Sequence, residues 1–436
     1  MRLCIIANPN SIHTRRWVSY FVQHRHDVHL IGEKPPVAAP PEGVTFHDLT
    51  QQTNARKLRY VVWSRAVRRL VRAIQPDVLH AHQVAGAGWL GAAAGYRPFL
   101  VTSWGSDLLL GTRRSMVQRQ LARWVLGRAD YVTCVSQPLA EAAQALGAPA
   151  HKVEVVHWGV DTEMFHLGDA SSDGCHPEAL RRVPAPPDGD ASAALSMTGR
   201  DASSDACHPE ALRRVPAPPD GDASAALNMT AESSAARGPL VLSIRGLRPI
   251  YNPLVIAQAI PAVLARRPDA RFVIRTYSVD ASLLVEFQRI VAQGGASHAV
   301  AYIGDLPNDH AIADLYRRAA VVISVPFSDG TPQSVLEAMA CGAAPVVSDL
   351  PSLRDWVRHE REGLVVPAGD ADALAGAILR LLDDEALRAS IQAAAVRMVQ
   401  QRADSRLWMQ RYEQIYQQLA AGRRPQPPAT LSGEAG

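Results

Sequence analysis

The sequence predicts an α/β protein with two doubly wound domains, each built on a parallel β-sheet. Its 436 residues suggest two or three domains at the usual size of roughly 100–200 residues each. Strand-like and helix-like segments alternate over residues 1–165 and again over residues 238–400, as expected for parallel strands joined by crossover helices. Residues 166–237, which separate the two series, lack this alternation and are rich in Pro, Ala, Ser, Asp and Gly.

The first domain, residues 1–165, begins with an apolar strand over residues 2–7 and a helix over residues 14–25. No G-x-G-x-x-G sequence follows this strand, so a dinucleotide-binding domain has little support. Further strands are predicted at residues 28–32, 76–82, 99–104, 131–135 and 153–157.

The separating segment, residues 166–237, contains nearly the same 32-residue sequence twice, beginning at Ser171 and at Ser203. Its composition buries too little apolar surface to offset the entropy lost on ordering, so we expect a disordered, duplicated linker insertion. Cys175 and Cys207 are repeated with the rest of the segment, and we interpret them as products of the duplication rather than as metal ligands.

The second domain, residues 238–400, resumes the alternation. The predicted strands are residues 240–244, 271–275, 300–303 and 321–325, and the predicted helices are residues 254–266, 282–292, 310–319, 334–340, 370–382 and 385–401. An amphipathic helix lies within residues 401–420, and the tail, residues 421–436, is expected to be disordered.

Composition and charge narrow the classes of function. A hydrophobic content of 47% with 20% charged residues is typical of a soluble globular protein. No apolar run approaches the ~20 residues of a membrane-spanning helix, and the N-terminal run is too short for a signal peptide, so we expect a cytoplasmic protein. Residues 1–165 hold nineteen basic and eleven acidic residues, about +8, whereas the whole chain carries +3. This asymmetry predicts an anionic partner, but not nucleic acid, because no nucleic-acid-binding motif accompanies the charge.

Cysteine and histidine spacing predicts no metal site. The five cysteines form no C-x-x-C pair, which leaves neither a zinc site nor a disulfide framework. His80 and His82 are the one candidate pair of ligands, but we expect them to face opposite sides of a strand, which disfavours a shared metal.

Residues 319–349 form the most informative stretch of the chain. An apolar strand is followed by a loop with Pro and Gly, a helix over residues 334–340, and Gly342, which is suited to the left-handed conformation after a helix. Asp329 lies in the loop and Glu337 follows eight residues later, at about the first turn of the helix. Both carboxylates are expected at the carboxyl edge of the sheet, where open α/β folds bind ligands.

This stretch resembles the signature of glycosyltransferase family 4 over the letters S-D-G-T-P-Q-S-V-L-E-A-M-A-C-G-A-A-P-V-V-S. Residues 157–165 resemble the pattern with which the chain leaves the first domain in that family. The resemblance implies the GT-B fold, in which two Rossmann-like domains face each other across a cleft, and a terminal helix that braces the first domain. It also implies transfer of a sugar from a nucleotide-diphosphate sugar to a polysaccharide, glycolipid or other acceptor. That transfer would retain the anomeric configuration, and would need no metal and no cofactor other than the donor itself.

Residue roles follow from the same resemblance. Glu337 would bind the ribose hydroxyls, Asp329 the donor sugar and Arg245 the diphosphate; these three are the candidate catalytic residues. The amides of Gln333, Ser334 and Val335 would face the diphosphate at the helix N-terminus. Further donor-binding candidates are Gly330, Thr331, Arg248, Arg275 and Tyr277, and candidates in the cleft of the first domain are Ser11, His13, Trp104 and Asp107.

Several positions depart from the family pattern. Tyr251-Asn252 stands where Lys-Gly is expected, Arg275-Thr276-Tyr277 replaces a Gly-rich turn, and Trp104 replaces a His. Two alternatives therefore stay open beside the transferase, namely an enzyme that hydrolyses or epimerises the sugar nucleotide and a non-catalytic protein that binds it.

Two helices of the first domain, residues 55–74 and 113–128, are basic and amphipathic and contain Trp63 and Trp124. Such helices can lie on an anionic membrane with Trp at the interface, or can pack their apolar faces on the sheet as ordinary surface helices do. The first interpretation predicts a peripheral protein at the inner face of the cell membrane, in cell-envelope polysaccharide biosynthesis.

Overall fold

A computed structural model describes residues 1–52, 59–105, 107–112, 115–168, 238–306 and 308–426. Residues 169–237 of the predicted insertion 166–237, which include both copies of the repeated sequence, lie outside the described residues. The same holds for residues 427–436 of the predicted tail and for the first residues of the predicted helix 55–74.

The first domain contains a seven-stranded sheet in the order β3-β2-β1-β4-β5-β6-β7, with every pair of neighbours parallel. The central strands are apolar and buried on both faces, as parallel strands covered by helices must be. The strands are β1 (Arg2–Ala7), β2 (Asp27–Gly32), β3 (Val44–Asp48), β4 (Val78–His82), β5 (Phe99–Ser103), β6 (Tyr131–Cys134) and β7 (Val153–Val155).

In the described residues five α-helices accompany this sheet, and the chain reverses its winding direction between β1 and β4. Such a reversal opens a crevice at the carboxyl ends of the strands. The helices are α1 (Ile12–Gln23), α2 (Arg59–Ile74), α3 (Ala87–Ala94), α4 (Met116–Arg128) and α5 (Gln137–Ala145). Helix α3 packs between α2 and α4, which places the two basic helices on one side of the domain.

The second domain repeats this plan with six parallel strands in the order β10-β9-β8-β11-β12-β13. Its strands are β8 (Leu240–Ser243), β9 (Arg271–Arg275), β10 (Val300–Ile303), β11 (Val321–Ser324), β12 (Ala344–Ser348) and β13 (Leu364–Val366). Its helices are α6 (Pro253–Arg266), α7 (Ala281–Gln293), α8 (Asp309–Arg318), α9 (Gln333–Ala340), α10 (Pro351–Arg354), α11 (Ala371–Asp383) and α12 (Glu385–Met398), and α13 (Ser405–Ala420) follows them. Two parallel α/β domains are the predicted fold class.

The terminal helix α13 packs against the first sheet rather than the second. Tyr412 and Tyr416 are fully buried in one cluster with Leu3 and other residues of the first domain. Arg411 of α13 donates two hydrogen bonds of 2.7 Å to the buried carboxylate of Glu154. The helix therefore returns across the interdomain boundary and becomes part of the core of the first domain.

The two chain segments that cross between the domains run side by side. The backbone amide of Val160 donates to the carbonyl of Ala403, and the amide of Ser405 donates to the carbonyl of Val160. Gly159 has a φ of 72°, and a Cβ at this position would lie 2.4 Å from the Cα of Ser405. Only glycine fits there, because the position needs a left-handed backbone and has no space for a side chain.

Candidate active site between the two domains

An ion pair connects two loops at the carboxyl edge of the second sheet. Arg245 follows β8 and Asp329 follows β11, and Nη2 of the arginine lies 3.1 Å from both carboxylate oxygens. Nη1 of Arg245 also donates to the hydroxyl of Ser334, at the start of α9, at 3.1 Å. Burial raises the pKa of the Asp329 carboxyl more than the nearby Arg245 lowers it. The structure thus brings three of the predicted site residues into direct contact.

Tyr251 and Asn252 occupy the places where the family pattern has Lys and Gly. The Arg245 guanidinium lies 4.4 Å from the centre of the Tyr251 ring, a distance typical of a cation–π contact. Asn252 adopts a left-handed conformation with a φ of 53°, which asparagine tolerates better than most residues. The exchange removes a second positive charge from the site and supports the remaining one with an aromatic face.

The N-terminus of α9 departs in part from the predicted amide cradle. The amide of Gln333 donates to the carbonyl of Thr331, and the amide of Val335 donates to the carbonyl of Pro332, so neither is directed at a ligand as we predicted. The Ser334 amide has no acceptor in the part of the chain that the structure describes. The helix start therefore offers the amide of Ser334, where three were expected.

Two other predicted donor-binding side chains contact the first domain instead. The hydroxyl of Thr331 donates to the carbonyl of Val135, and the side-chain amide of Gln333 donates to the carbonyl of Gly159. Gly330 packs so closely on Trp104 that a Cβ would lie 2.7 Å from the Trp104 carbonyl oxygen. These residues hold the Asp329 loop against the first domain, which closes the cleft at this point.

Glu337 is the fifth residue of α9, just past the first turn where it was predicted, because the helix begins at Gln333, one residue earlier than expected. Its side chain is 9% exposed, and Oε1 accepts a hydrogen bond of 2.8 Å from Arg16 on α1 of the first domain. Sequence reasoning missed Arg16, which looks like an ordinary surface residue of an amphipathic helix. Burial raises the pKa of Glu337, against the opposing effect of Arg16.

The structure separates the two further arginines that were candidates for the diphosphate. Arg275 ends β9, is buried, and lies with its guanidinium 4.7 Å from the ring centre of Tyr277. Its charge acts on Glu337 and lowers that carboxyl's pKa. Arg248, in contrast, is exposed and acts on Asp280, a residue outside the cluster. Arg275, not Arg248, is the arginine that lies near the candidate site.

An aromatic cluster lines the first-domain side of the cleft. Trp104 and Trp158 meet edge to face with ring centres 4.5 Å apart, and the His13 ring lies 4.5 Å from that of Trp158. Burial and nearby arginines, including Arg245, lower the pKa of His13 to about 4, so the ring is neutral at pH 7. Neither indole nitrogen has a hydrogen-bond partner within the described residues.

The other first-domain candidates are less well placed. Ser11 precedes α1 at the N-cap position, but its hydroxyl makes no capping hydrogen bond. Asp107 begins a short helical turn, Asp107–Gly111, and its side chain lies outside what the structure describes.

Residues 2–136 match the family model described as glycosyl transferase 4-like, and residues 228–398 match that of glycosyl transferases group 1. The two models together cover most of the chain, one in each domain, and the chain belongs to the glycosyltransferases that they describe. A D-inositol 3-phosphate glycosyltransferase from Acidothermus cellulolyticus is 27% identical over 343 residues, 73% of this chain and 62% of that relative. A phosphatidyl-myo-inositol mannosyltransferase from Mycolicibacterium smegmatis is 33% identical over 143 residues, 32% of this chain and 35% of that relative. The chain thus spans less than two thirds of either relative.

The structure of Anabaena HepE, solved in complex with UDP and glucose, superposes on this glycosyltransferase with a TM-score of 0.71 at 16% identity. The match covers 96% of this chain and all of HepE. Full coverage of both domains confirms the predicted GT-B fold.

The prediction that His80 and His82 face opposite sides of a strand is wrong. Residues two apart on a strand point to the same face, and the two rings lie 4.6 Å apart on β4 of this glycosyltransferase. Both rings are buried, and His80 hydrogen-bonds Tyr416 of α13 at 2.7 Å and Thr102 at 2.6 Å. Burial lowers the pKa of His82 to about 3. Within the described ranges, no group of three or more His, Cys, Asp or Glu residues is arranged to hold a metal ion.

The two basic helices pack their apolar faces on the core of the first domain, as the second of the two interpretations predicts. Trp63 is buried in the core beneath α2, and Trp124 packs against the same core, with Arg128 over its ring. Neither indole is therefore free to enter a membrane interface. The exposed apolar side chains on these helices are Val61 of α2 and Met116 and Val117 of α4. No helix of the described chain is both long enough and apolar enough to cross a bilayer.

Proposed function

We propose that this glycosyltransferase moves a sugar from a nucleotide-diphosphate sugar to a carbohydrate or lipid-linked acceptor and retains the anomeric configuration. The observation that carries the proposal is the contact of Arg245, Asp329 and Ser334 at the start of α9, one turn from Glu337. The cation and the helix N-terminus suit the negative charge of the diphosphate, and the two carboxylates suit the hydroxyls of the ribose and of the donor sugar. UDP and glucose in the related HepE structure, and the glycosyltransferase names of the sequence relatives, support the same ligand class.

In this proposal the nucleotide lies over α9. Oε1 of Glu337 is taken by Arg16, which leaves Oε2 to accept the hydroxyls of the ribose. The diphosphate lies at the helix N-terminus, where it meets the free amide of Ser334 and the guanidinium of Arg245.

Stabilisation of the leaving diphosphate is the main electrostatic task of the reaction. We assign it to Arg245, with Arg275 as the second cation in place of the absent family Lys. Arg275 is buried, the Arg245 side chain is only 13% exposed, and each is supported by a tyrosine ring, so water screens their charges little. These fixed cations supply the charge for a transfer that needs no metal.

Asp329 is assigned to the hydroxyls of the donor sugar rather than to nucleophilic attack. Its carboxylate is engaged by Arg245 and by the amide of Gly330, and its burial disfavours the ionised form that a nucleophile requires. With Asp329 bound to the sugar hydroxyls, the acceptor attacks the sugar on the same face that the diphosphate leaves, so the anomeric configuration is retained. Closure of Gly330 on Trp104 excludes water from the reacting atoms.

The acceptor is assigned to the first domain, beside Trp104, Trp158 and His13. The exposed Val61, Met116 and Val117 lie among the exposed arginines of α2 and α4. We propose that this surface binds anionic lipid at the inner face of the membrane and brings a lipid-linked acceptor to the cleft, as cell-envelope polysaccharide synthesis requires.

The test is a thermal-shift screen against UDP, GDP, ADP and their glucose, mannose and N-acetylglucosamine derivatives, followed by turnover of the stabilising donor. We expect one nucleotide to raise the melting temperature, because ligands that bind only the folded state stabilise it. Release of nucleotide should then depend on added acceptor. Release that added acceptor leaves unchanged would indicate a hydrolase, and the absence of any shift would contradict the proposal.

A further inference from the structure

Arg16 is the point where the first domain contacts the proposed nucleotide site. The side chain extends from α1, and Nη1 donates to Oε1 of Glu337 at 2.8 Å. Nη2 lies 2.8 Å from Oδ2 of Asp309, and Nε donates to the same oxygen at 3.1 Å. The guanidinium also lies 5.5 Å from the ring centre of Phe165, in the segment that connects the domains.

These contacts join four elements of the fold, namely α1, α8, α9 and the segment that connects the domains. Helix α1 belongs to the first domain, whereas Asp309 begins α8 and Glu337 lies on α9 of the second domain. A guanidinium is a rigid planar fork, so it reaches two carboxylates at once only when they stand at fixed positions around it. Arg16 therefore makes both ion pairs only while the two domains are closed on each other.

The charges around Glu337 explain how Arg16 affects the ionisation of this carboxyl. Arg16 and Arg275 favour the ionised carboxylate, whereas Asp309 opposes it; the Tyr316 hydroxyl also lies within its field. After burial, Arg16 has the largest effect on the pKa of Glu337, and it acts to lower it. Without Arg16, the carboxylates of Glu337 and Asp309 would lack the cation that separates them, and one of them would tend to take up a proton.

We infer that Arg16 is a positioning residue of the donor site, which clamps the domains through Asp309 and Glu337 and fixes Glu337 to accept the ribose hydroxyls. This inference rests on the proposed function for the ribose, whereas the clamp itself rests only on the two ion pairs. Because Arg16 engages one oxygen of Glu337, it leaves the other for the ligand. Donor binding and domain closure thereby depend on the same side chain.

The ligand test is calorimetry with UDP, GDP and ADP between pH 5.5 and 8.5 on wild type, Arg16→Ala, Arg16→Lys and Arg15→Ala. Arg15 is the matched control, because it precedes Arg16 on α1 and donates to the carbonyl of Ala39 within the first domain. For whichever nucleotide binds wild type, we expect Arg16→Ala to lose at least tenfold in affinity at pH 7. As the solution is acidified, Arg16→Ala should begin to lose nucleotide affinity at a higher pH than wild type does. The reason is that removal of Arg16 raises the pKa of Glu337. Arg16→Lys should keep part of the lost affinity and part of the wild-type pH dependence.

The clamp is tested separately by small-angle X-ray scattering without nucleotide, on the same variants and on Asp309→Asn, which leaves Glu337 intact. We expect a larger radius of gyration for Arg16→Ala than for wild type and Arg15→Ala, with Asp309→Asn between them. Wild-type scattering together with a wild-type pH profile in Arg16→Ala would overturn the inference. If no nucleotide binds wild type, the proposed function fails, and the scattering still decides whether Arg16 clamps the domains.

Discussion

Arg245 and Asp329 are 84 residues apart in the chain, and yet Nη2 of the arginine lies 3.1 Å from the aspartate carboxylate. The strand order explains this contact, because β8 and β11 are neighbours at the centre of the second sheet and both loops leave its carboxyl edge. The pair is largely buried, with the arginine side chain 13% and the aspartate side chain 9% exposed, so removing one partner leaves the other where water compensates its charge poorly. Removing one partner should therefore cost more stability than removing both, which can be measured.

We predict that Arg245→Met destabilises the fold by roughly 3–5 kcal/mol, the usual cost of breaking a buried ion pair. The double variant Arg245→Met/Asp329→Asn should recover most of that stability, since it removes both charges, but it should not recover nucleotide binding. Urea unfolding and calorimetry on the two single variants and the double variant measure both effects. Additive losses of stability would show that the two side chains are not energetically coupled.

Replacement of Trp104 should separate sugar recognition from nucleotide binding. We expect Trp104→Ala to lower kcat/KM for sugar transfer roughly tenfold, through the loss of an aromatic contact worth about 1.4 kcal/mol, with nucleotide affinity unchanged. Trp124→Ala controls for the loss of an indole, because Trp124 packs on the core of the first domain beneath α4. An equal loss of nucleotide affinity in Trp104→Ala would place the ring at the nucleotide instead.

Glu33, which follows β2, makes stability depend on pH. Burial raises the pKa of its carboxyl to about 7, against a value of 4.5 for a free side chain, and Tyr60 donates a long hydrogen bond of 3.4 Å to it. The fold therefore favours the protonated form, and this contribution to stability is complete below pH 4.5 and is lost as the pH rises through 7. Between pH 5.5 and 8.5 the melting temperature of wild type should fall relative to that of Glu33→Gln. The exposed Glu42→Gln should follow wild type, and parallel curves for all three proteins would refute the assignment.

Membrane binding should require the exposed side chains of α4. We predict that wild type sediments with vesicles containing anionic phosphatidylglycerol but not with neutral phosphatidylcholine vesicles. Met116→Ser/Val117→Ser should weaken this binding through the loss of apolar insertion, and Arg119→Gln/Arg123→Gln should weaken it through the loss of charge. Equal binding of wild type and both double variants to the anionic vesicles would show that α4 is not the contact surface.

The sequence predicts much of the fold because most strands are apolar runs with a clear beginning and end. The predicted strands at residues 2–7, 271–275 and 300–303 coincide with β1, β9 and β10. It misses α3, whose residues AGWLGAAA are small and mostly buried, so that no polar face marks the helix. It also misses β3, an edge strand whose half-exposed residues lack a continuous apolar run.

The candidate site divides in the same way. Asp329, Glu337 and Arg245 are predictable because a local motif places each on a particular loop or helix. Arg16 is not, because it meets Glu337 across 321 residues of chain and nothing in its own neighbourhood marks it. The use of the Gln333 and Val335 amides by the chain itself is equally hidden, since it depends on how the turn before α9 closes.

The most direct test of the account is calorimetry of nucleotide binding to Glu337→Gln. Glutamine keeps the shape of the side chain but removes the charge that is proposed to accept the ribose hydroxyls, so we expect at least tenfold weaker binding of the nucleotide that stabilises wild type. The circular dichroism spectrum of the variant should match that of wild type. Nucleotide affinity equal to that of wild type would contradict the central claim, that α9 binds the ribose of a sugar nucleotide through Glu337.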